Sequence, residues 1–191
     1  MMRKDLDDLL CQRYPLIFAD RSRSIKESCM GWGFACGDGW FDLIDSLCER
    51  LQFWTDHNHA PQIVAAQVKE KWGELCFYPR EGAGPEQRGM ITLAEAMSAR
   101  ICEQCGKPGQ TLVHGFQHMT RCSEHAPEGA VPKDVFVAER ERTRPLYTAA
   151  ELMAEMPTGL PMADGWDTMP TVGKELDQCD KDAPPTGKET L

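Results

Sequence analysis

Three cysteines and a histidine stand at the spacing that a tetrahedral metal ion requires: Cys102-x2-Cys105, sixteen intervening residues, then Cys122-x2-His125. Two residues between ligands let a turn direct both side chains at one ion, and Gly106 suits the chain reversal of such a knuckle. Gly109 and Gly115 allow the long middle section to form a hairpin that returns the second pair to the first. Three thiolates and one imidazole fill a zinc shell and leave no position for a catalytic water, so the expected cofactor is one structural Zn2+. A redox Cys-x-x-Cys is the rival chemistry, but it needs a thioredoxin-like strand–helix context that residues 100–106 do not supply. His114 and His118 lie inside the insert as poorer-spaced substitutes for His125.

The remaining candidates have plainer readings. Cys29 and Cys36 lack a matching pair nearby, and Cys11 and Cys48 fall among apolar helical residues, so buried thiols are expected. Asp56-His57-Asn58-His59 resembles a nuclease motif only in its letters; an exposed polar helix end accounts for it. There is no glycine-rich phosphate loop, nucleophile elbow or clear acid pair. The sequence predicts a protein without catalytic residues.

Around the ligands, the pattern predicts an α+β fold. It combines a small helix-plus-hairpin domain over 1–99, a Cys3His zinc-ribbon or treble-clef-like module over 100–130, a linker over 131–146 and an acidic tail over 147–191. Leu6, Leu9 and Leu10 mark a short helix over 4–13. Residues 29–40 carry four glycines between bulky side chains and suit a strand or tight loop. Asp38 is placed to cap a helix over about 40–56, with Phe41, Ile44, Leu47, Cys48, Leu51 and Trp54 on one side. Phe41, Leu47 and Leu51 should then face a hairpin of residues 63–78 that turns near Lys71 to Glu74. Residues 80–89 read as a loop, and Thr92 as the cap of a helix from Leu93 to Arg100 that enters the first ligand pair. Residues 134–144 suit a strand or a charged helix. Beyond Pro145 only residues 148–156 look competent for helix, and the rest is expected to be disordered when free.

The chain has 191 residues, 41% hydrophobic and 27% charged, enough to bury a modest core. Its formal charge is −9, of which −6 falls from Pro145 onward. An acidic tail suits a basic partner and opposes contact of that segment with nucleic acid or an anionic membrane. No apolar run is long enough to span a bilayer, and the amino terminus has no signal-peptide core. Nine cysteines, an odd number, fit a reducing compartment better than a disulfide framework, and a cytoplasmic location in a bacterial cell is expected.

Two resemblances add to this reading. Over roughly residues 10–126, the stretches 29–34 (Cys-Met-Gly-Trp-Gly-Phe), 36–40 (Cys-Gly-Asp-Gly-Trp), 67–78 (Gln-Val-Lys-Glu-Lys-Trp-Gly-Glu-Leu-Cys-Phe-Tyr) and 102–109 (Cys-Glu-Gln-Cys-Gly-Lys-Pro-Gly) together resemble a small zinc-ribbon family of phage and prophage genomes without established activity. Members often carry Gly-Gly-Trp before the second ligand pair, where this chain has Gly115-Phe116. Separately, Tyr147 to Ala154, Gly165-Trp166-Asp167 and Pro170 to Leu176 resemble the toxin-binding tail of MazE-type antitoxins. That resemblance implies a short helix and an extended acidic segment wrapped on a MazF-type ribonuclease dimer, blocking its RNA groove. The DNA-binding domain of those antitoxins is absent, so operon autoregulation is not implied.

The residues expected to make the contact are Tyr147, Leu152, Met153, Trp166, Val172 and Glu175, with Trp166 as the dominant anchor. A disordered acidic segment can cover a large basic surface through a few such anchors. The competing expectations are nucleic-acid binding by the zinc module, through a weak basic face of Arg100, Lys107, Arg121 and Lys133, and inhibition of a host-defence enzyme.

Overall fold

Leucines three and four residues apart make one side of the first helix apolar. In the computed structural model, which describes residues 1–143 and 148–154, this helix is α1 (Lys4–Arg13), with Leu10 fully buried and Leu6 packed against the core. Asp7 is buried on the same helix and accepts two hydrogen bonds from the Arg21 guanidinium, at 2.9 and 3.1 Å. A second buried acid, Asp20, is held by Arg23 and Arg80. Both carboxylates are thus paired, as buried charge requires.

Residues 29–40 form tight turns rather than a strand. Short 3-10 turns cover Cys29–Trp32 and Asp38–Trp40, and between them Ala35 makes a single bridge to the edge of the hairpin at Lys69. The second turn delays the following helix, α2 (Phe41–Asn58), so Asp38 stands too early to cap it. Its carboxylate instead accepts the Arg3 backbone N–H at 2.7 Å and pairs with the Arg3 guanidinium at 2.9 Å. Along α2, Ile44, Leu47, Cys48 and Leu51 are buried at the expected spacing. They share one core with Trp40, Leu75, Phe77 and Ile91. Phe41 is only partly buried, beneath the Arg13 guanidinium 5.8 Å from its ring centre.

The hairpin consists of β1 (Ala65–Lys71) and β2 (Glu74–Pro79), antiparallel, with Lys71 opposite Glu74. Its two-residue turn holds Trp72 at φ 57° and Gly73 at φ 84°, both left-handed, as hairpin twist favours. Glycine takes this conformation freely, whereas for Trp72 it costs about 1–2 kcal/mol. The Glu70 carboxylate steadies the turn by accepting the Gly73 N–H at 2.6 Å.

Helix α3 (Pro85–Ser98) begins within the stretch expected as a loop and well before Thr92. Proline at the first helical position has the required φ and lacks an N–H that would go unpaired there. Gln87 completes the start: its carbonyl accepts the Gly84 N–H at 2.9 Å, and its amide donates to Thr55 and to the Pro61 carbonyl. This buried side chain ties α3 to α2; α3 is the principal partner of α2, and of β2 after its hairpin mate β1. The apolar side of α2 therefore reaches the hairpin core together with α3 rather than by lying on the strands alone.

A second, three-stranded sheet has the order β4–β3–β5, from β3 (Gln110–His114), β4 (Gln117–Arg121) and β5 (Val131–Pro132). Helix α4 (Lys133–Thr143) packs against β3 and β5, so of the strand or charged helix expected over 134–144 the helix is formed, and residues 131–143 of the expected linker belong to the fold as strand and helix. The chain divides into two units, Met1–Arg144 and Pro145–Leu191. Within the second, α5 (Ala149–Ala154) is described. No helix among the described residues is long and apolar enough to cross a membrane.

Candidate metal centre

Both ligand pairs sit on turns at the open end of the β3–β4 hairpin. Ahead of β3, the Cys102 N–H donates to the Lys107 carbonyl and the Gly106 N–H returns to the Cys102 carbonyl, each at 2.8 Å. After β4, the His125 N–H donates to the Cys122 carbonyl at 3.1 Å. These closures bring Cys102, Cys105, Cys122 and His125 together, with their donor atoms all within 4.8 Å of one another. The four residues can hold a metal ion.

The separations show how well they fit one. Cys105 Sγ and Cys122 Sγ are 3.7 Å apart, and His125 Nδ1 lies 3.3 Å from Cys122 Sγ and 3.6 Å from Cys102 Sγ. A tetrahedron with Zn–S of about 2.3 Å and Zn–N of about 2.0–2.1 Å has S···S edges of about 3.8 Å and S···N edges of about 3.5 Å. Nδ1 is therefore the imidazole donor. His114 and His118 do not join the group; the His118 ring meets Trp72 edge-on, 5.1 Å between centroids.

Among the ligand thiols Cys102 stands apart: the Lys107 backbone N–H favours the Cys105 thiolate, but desolvation and the neighbouring Cys102 and Cys122 sulfurs raise that thiol overall. Burial would raise the Cys102 thiol, but backbone N–H groups of Cys122, Cys105 and Gln104 aimed at its sulfur bring it down to about 6. Thiolate is the form that binds metal. Burial instead pushes Cys36 up to about 12 and Cys48 well above its ordinary value; Cys11 rises to about 12 through burial and the adjacent Asp7. Cys36 and Cys48 are the buried thiols expected, whereas Cys29 is exposed, because its 3-10 turn carries it to the surface while Met30 enters the core.

The glycine-rich segment is the seat of the first knuckle. A Cβ on Gly39 would run into the Cys102 carbonyl and the Gly106 nitrogen, and one on Gly37 into the Glu103 carbonyl. Only bare backbone fits there. The Gly39 N–H donates to the Glu103 carbonyl at 2.8 Å, and the Trp40 indole N–H donates to the Ile101 carbonyl at 2.8 Å. Glu103 is the joint: its carboxylate accepts from the Gly37 N–H and from the Arg121 guanidinium, both at 2.8 Å. From the other side, the Thr120 hydroxyl donates to the Gly73 carbonyl at 2.6 Å, fixing the β1–β2 turn against β4.

Sequence spacing brought out the four ligands but not Glu103, Gly39 or Thr120. The repeated glycines before Trp40 were the available signal of a close approach; no pattern marks Glu103 as more than a polar residue between ligands. Asp56, His57, Asn58 and His59 lie at the exposed end of α2, where His57 Nδ1 meets the Phe53 carbonyl at 2.8 Å. Of the proposed contact residues in the second unit, Met153 on α5 is 71% exposed. Leu152 belongs to the same helix; its side chain, and Tyr147, Trp166, Val172 and Glu175, lie outside the described residues.

No family model, no curated protein and no solved structure matches the chain.

Proposed function

We propose that this is a non-catalytic zinc protein of phage or prophage origin that neutralises a MazF-type ribonuclease toxin with residues 147–176. The zinc organises residues 100–126 and takes no part in chemistry, since four protein ligands occupy its whole tetrahedral shell. The observation that carries the toxin reading is α5. Thr148 and Glu151 form a reciprocal capping box, with the Thr148 N–H on the Glu151 carboxylate at 2.7 Å and the Glu151 N–H on the Thr148 hydroxyl at 3.2 Å. A short helix that specifies its own start and exposes Met153 suits the first contact of an antitoxin-like segment. The acidic residues beyond it suit a basic RNA-binding groove in a bacterial cytoplasm.

Nucleic-acid binding through the module itself is disfavoured by its ion pairs. Lys107 is held by Glu124, Arg121 by Glu103 and Lys133 by Glu74, at 2.7, 2.8 and 3.0 Å. Of the four expected cations only Arg100 has no such partner among the described residues.

RNA cleavage by a panel of MazF-type toxins, measured with the full chain and with a version ending at Arg144, tests the proposal. Inhibition of at least one toxin by the full chain, lost on truncation, is the expected result. A panel in which no toxin is inhibited would refute it.

A further inference from the structure

The outer face of the β1–β2 hairpin has no role in the metal centre or in the toxin reading. Cross-strand partners share a face, and Val68 and Phe77 are paired and buried. The pairs Lys69–Cys76, Gln67–Tyr78 and Lys71–Glu74 therefore stand on the opposite face. There an open groove of about 570 Å³ is lined by Lys71, Trp72, Cys76, Tyr78 and His118, and by Glu74 and Lys133, which neutralise each other as an ion pair at 3.0 Å and leave Lys71, among the described residues, as the unpaired cation of the lining. Trp72 is 60% exposed and Tyr78 40%, and the Lys69 ammonium lies 5.5 Å from the centre of the Tyr78 ring.

Trp72 is the informative residue. It holds a left-handed backbone conformation that asparagine or glycine would adopt at less cost, and it gains little burial in return. Strain of this kind persists where surrounding structure enforces it and the side chain is used. Here the enforcement comes from the Cys3His module: Thr120 holds the Gly73 carbonyl and the His118 ring edges onto the indole. The module thus presents an indole on a fixed turn, beside a tyrosine and two lysines.

We infer that this face binds a single-stranded polynucleotide, with Trp72 and Tyr78 stacking on bases and Lys69 and Lys71 meeting the phosphates. Exposed aromatic faces interleaved with cations are what unpaired strands are bound by. A protein partner fits less well, because protein interfaces are depleted of lysine. The site uses residues separate from 147–176, so it stands or falls apart from toxin binding.

The test is fluorescence anisotropy with the full-length, zinc-loaded protein and labelled oligo-dT and oligo-rU of about a dozen nucleotides at low salt. Both should bind comparably, since base stacking and phosphate attraction do not depend on the 2′-hydroxyl, and affinity should fall steeply as salt rises. Trp72→Asn should weaken binding about tenfold or more while the melting temperature holds or rises. That combination separates a stacking residue from a structural one. The Lys69→Ala, Lys71→Ala double variant should flatten the salt dependence. If Trp72→Asn does not fold, Tyr78→Ala is read in its place, with the same expected loss. Absence of binding to either strand at about 100 μM protein, tighter binding to a duplex of the same length, or unchanged affinity in the variant read would each overturn the inference.

Discussion

Gly39 touches the backbone of the knuckle on three sides, at Cys102, Cys105 and Gly106, so a single methyl group there is a test of the whole contact. Gly39→Ala should destabilise the chain by about 1–3 kcal/mol, the usual cost of overpacking, and speed metal loss to a chelator. Denaturant melts and a chelator time course would measure both. Glu103→Ala should act on the same joint, because hydrogen bonds to a charged group contribute about 1.5–3 kcal/mol each. Since two such bonds are lost, a change in stability below about 1 kcal/mol would show that the joint does not depend on the carboxylate. Acidity should reach the centre through its thiolates. Metal binding needs Cys102 deprotonated, and backbone N–H groups hold its thiol at about 6 rather than at its ordinary 9.0, so without metal the deprotonated form is favoured at neutral pH, and bound metal, competing with protons, keeps it deprotonated to lower pH still. Metal release followed against pH should accelerate only below about 6.

Helix α2 was legible because its apolar period, near 3.6, is strong and uninterrupted, and the hairpin because two short apolar runs, 63–68 and 75–78, flank Gly73. Leu47 is 5% exposed in the core beside Leu51, and Leu47→Ala should cost about 2–5 kcal/mol by thermal or chemical denaturation. A cost below about half a kilocalorie would mean that the apolar side of α2 is not what holds it. The ligand set was legible for a related reason: its spacing is short-range and chemically constrained. What was not legible depends on contacts distant in sequence. The glycines of 29–40 signalled a close approach without saying to what, and the answer is a knuckle more than sixty residues away, with Gly37 bonded to Glu103 across a separation of 66. Helix α3 was misplaced because Gly82, Gly84, Pro85 and Gly89 read as loop residues, whereas proline opens the helix and Gln87 closes its cap. Residues 131–143 lack a strong apolar period and gain their structure by pairing β5 with β3.

At the scale of the molecule the charge is divided: −6 of the net −9 lies from Pro145 onward, while the acids Asp7, Asp20 and Glu103 of the first unit are engaged by arginines. A neutraliser built this way would hold its partner through the second unit and rely on the first for stability. Trp166→Ala should then weaken toxin binding by at least about 2 kcal/mol, as a hot-spot residue does, and Glu189→Ala should leave it unchanged; calorimetry with an inhibited toxin would read both. Everything proposed for the first unit depends on a metal at the four ligands, because the same turns position Glu103, Thr120 and the Trp72 tip. The direct measurement is the metal content of full-length protein purified without chelator, by elemental analysis and native mass spectrometry, beside Cys105→Ser. About one zinc per chain is expected, and for Cys105→Ser a reduced content and a lowered melting temperature. Protein that is folded and free of zinc, with a melting transition unmoved by Cys105→Ser, would contradict it.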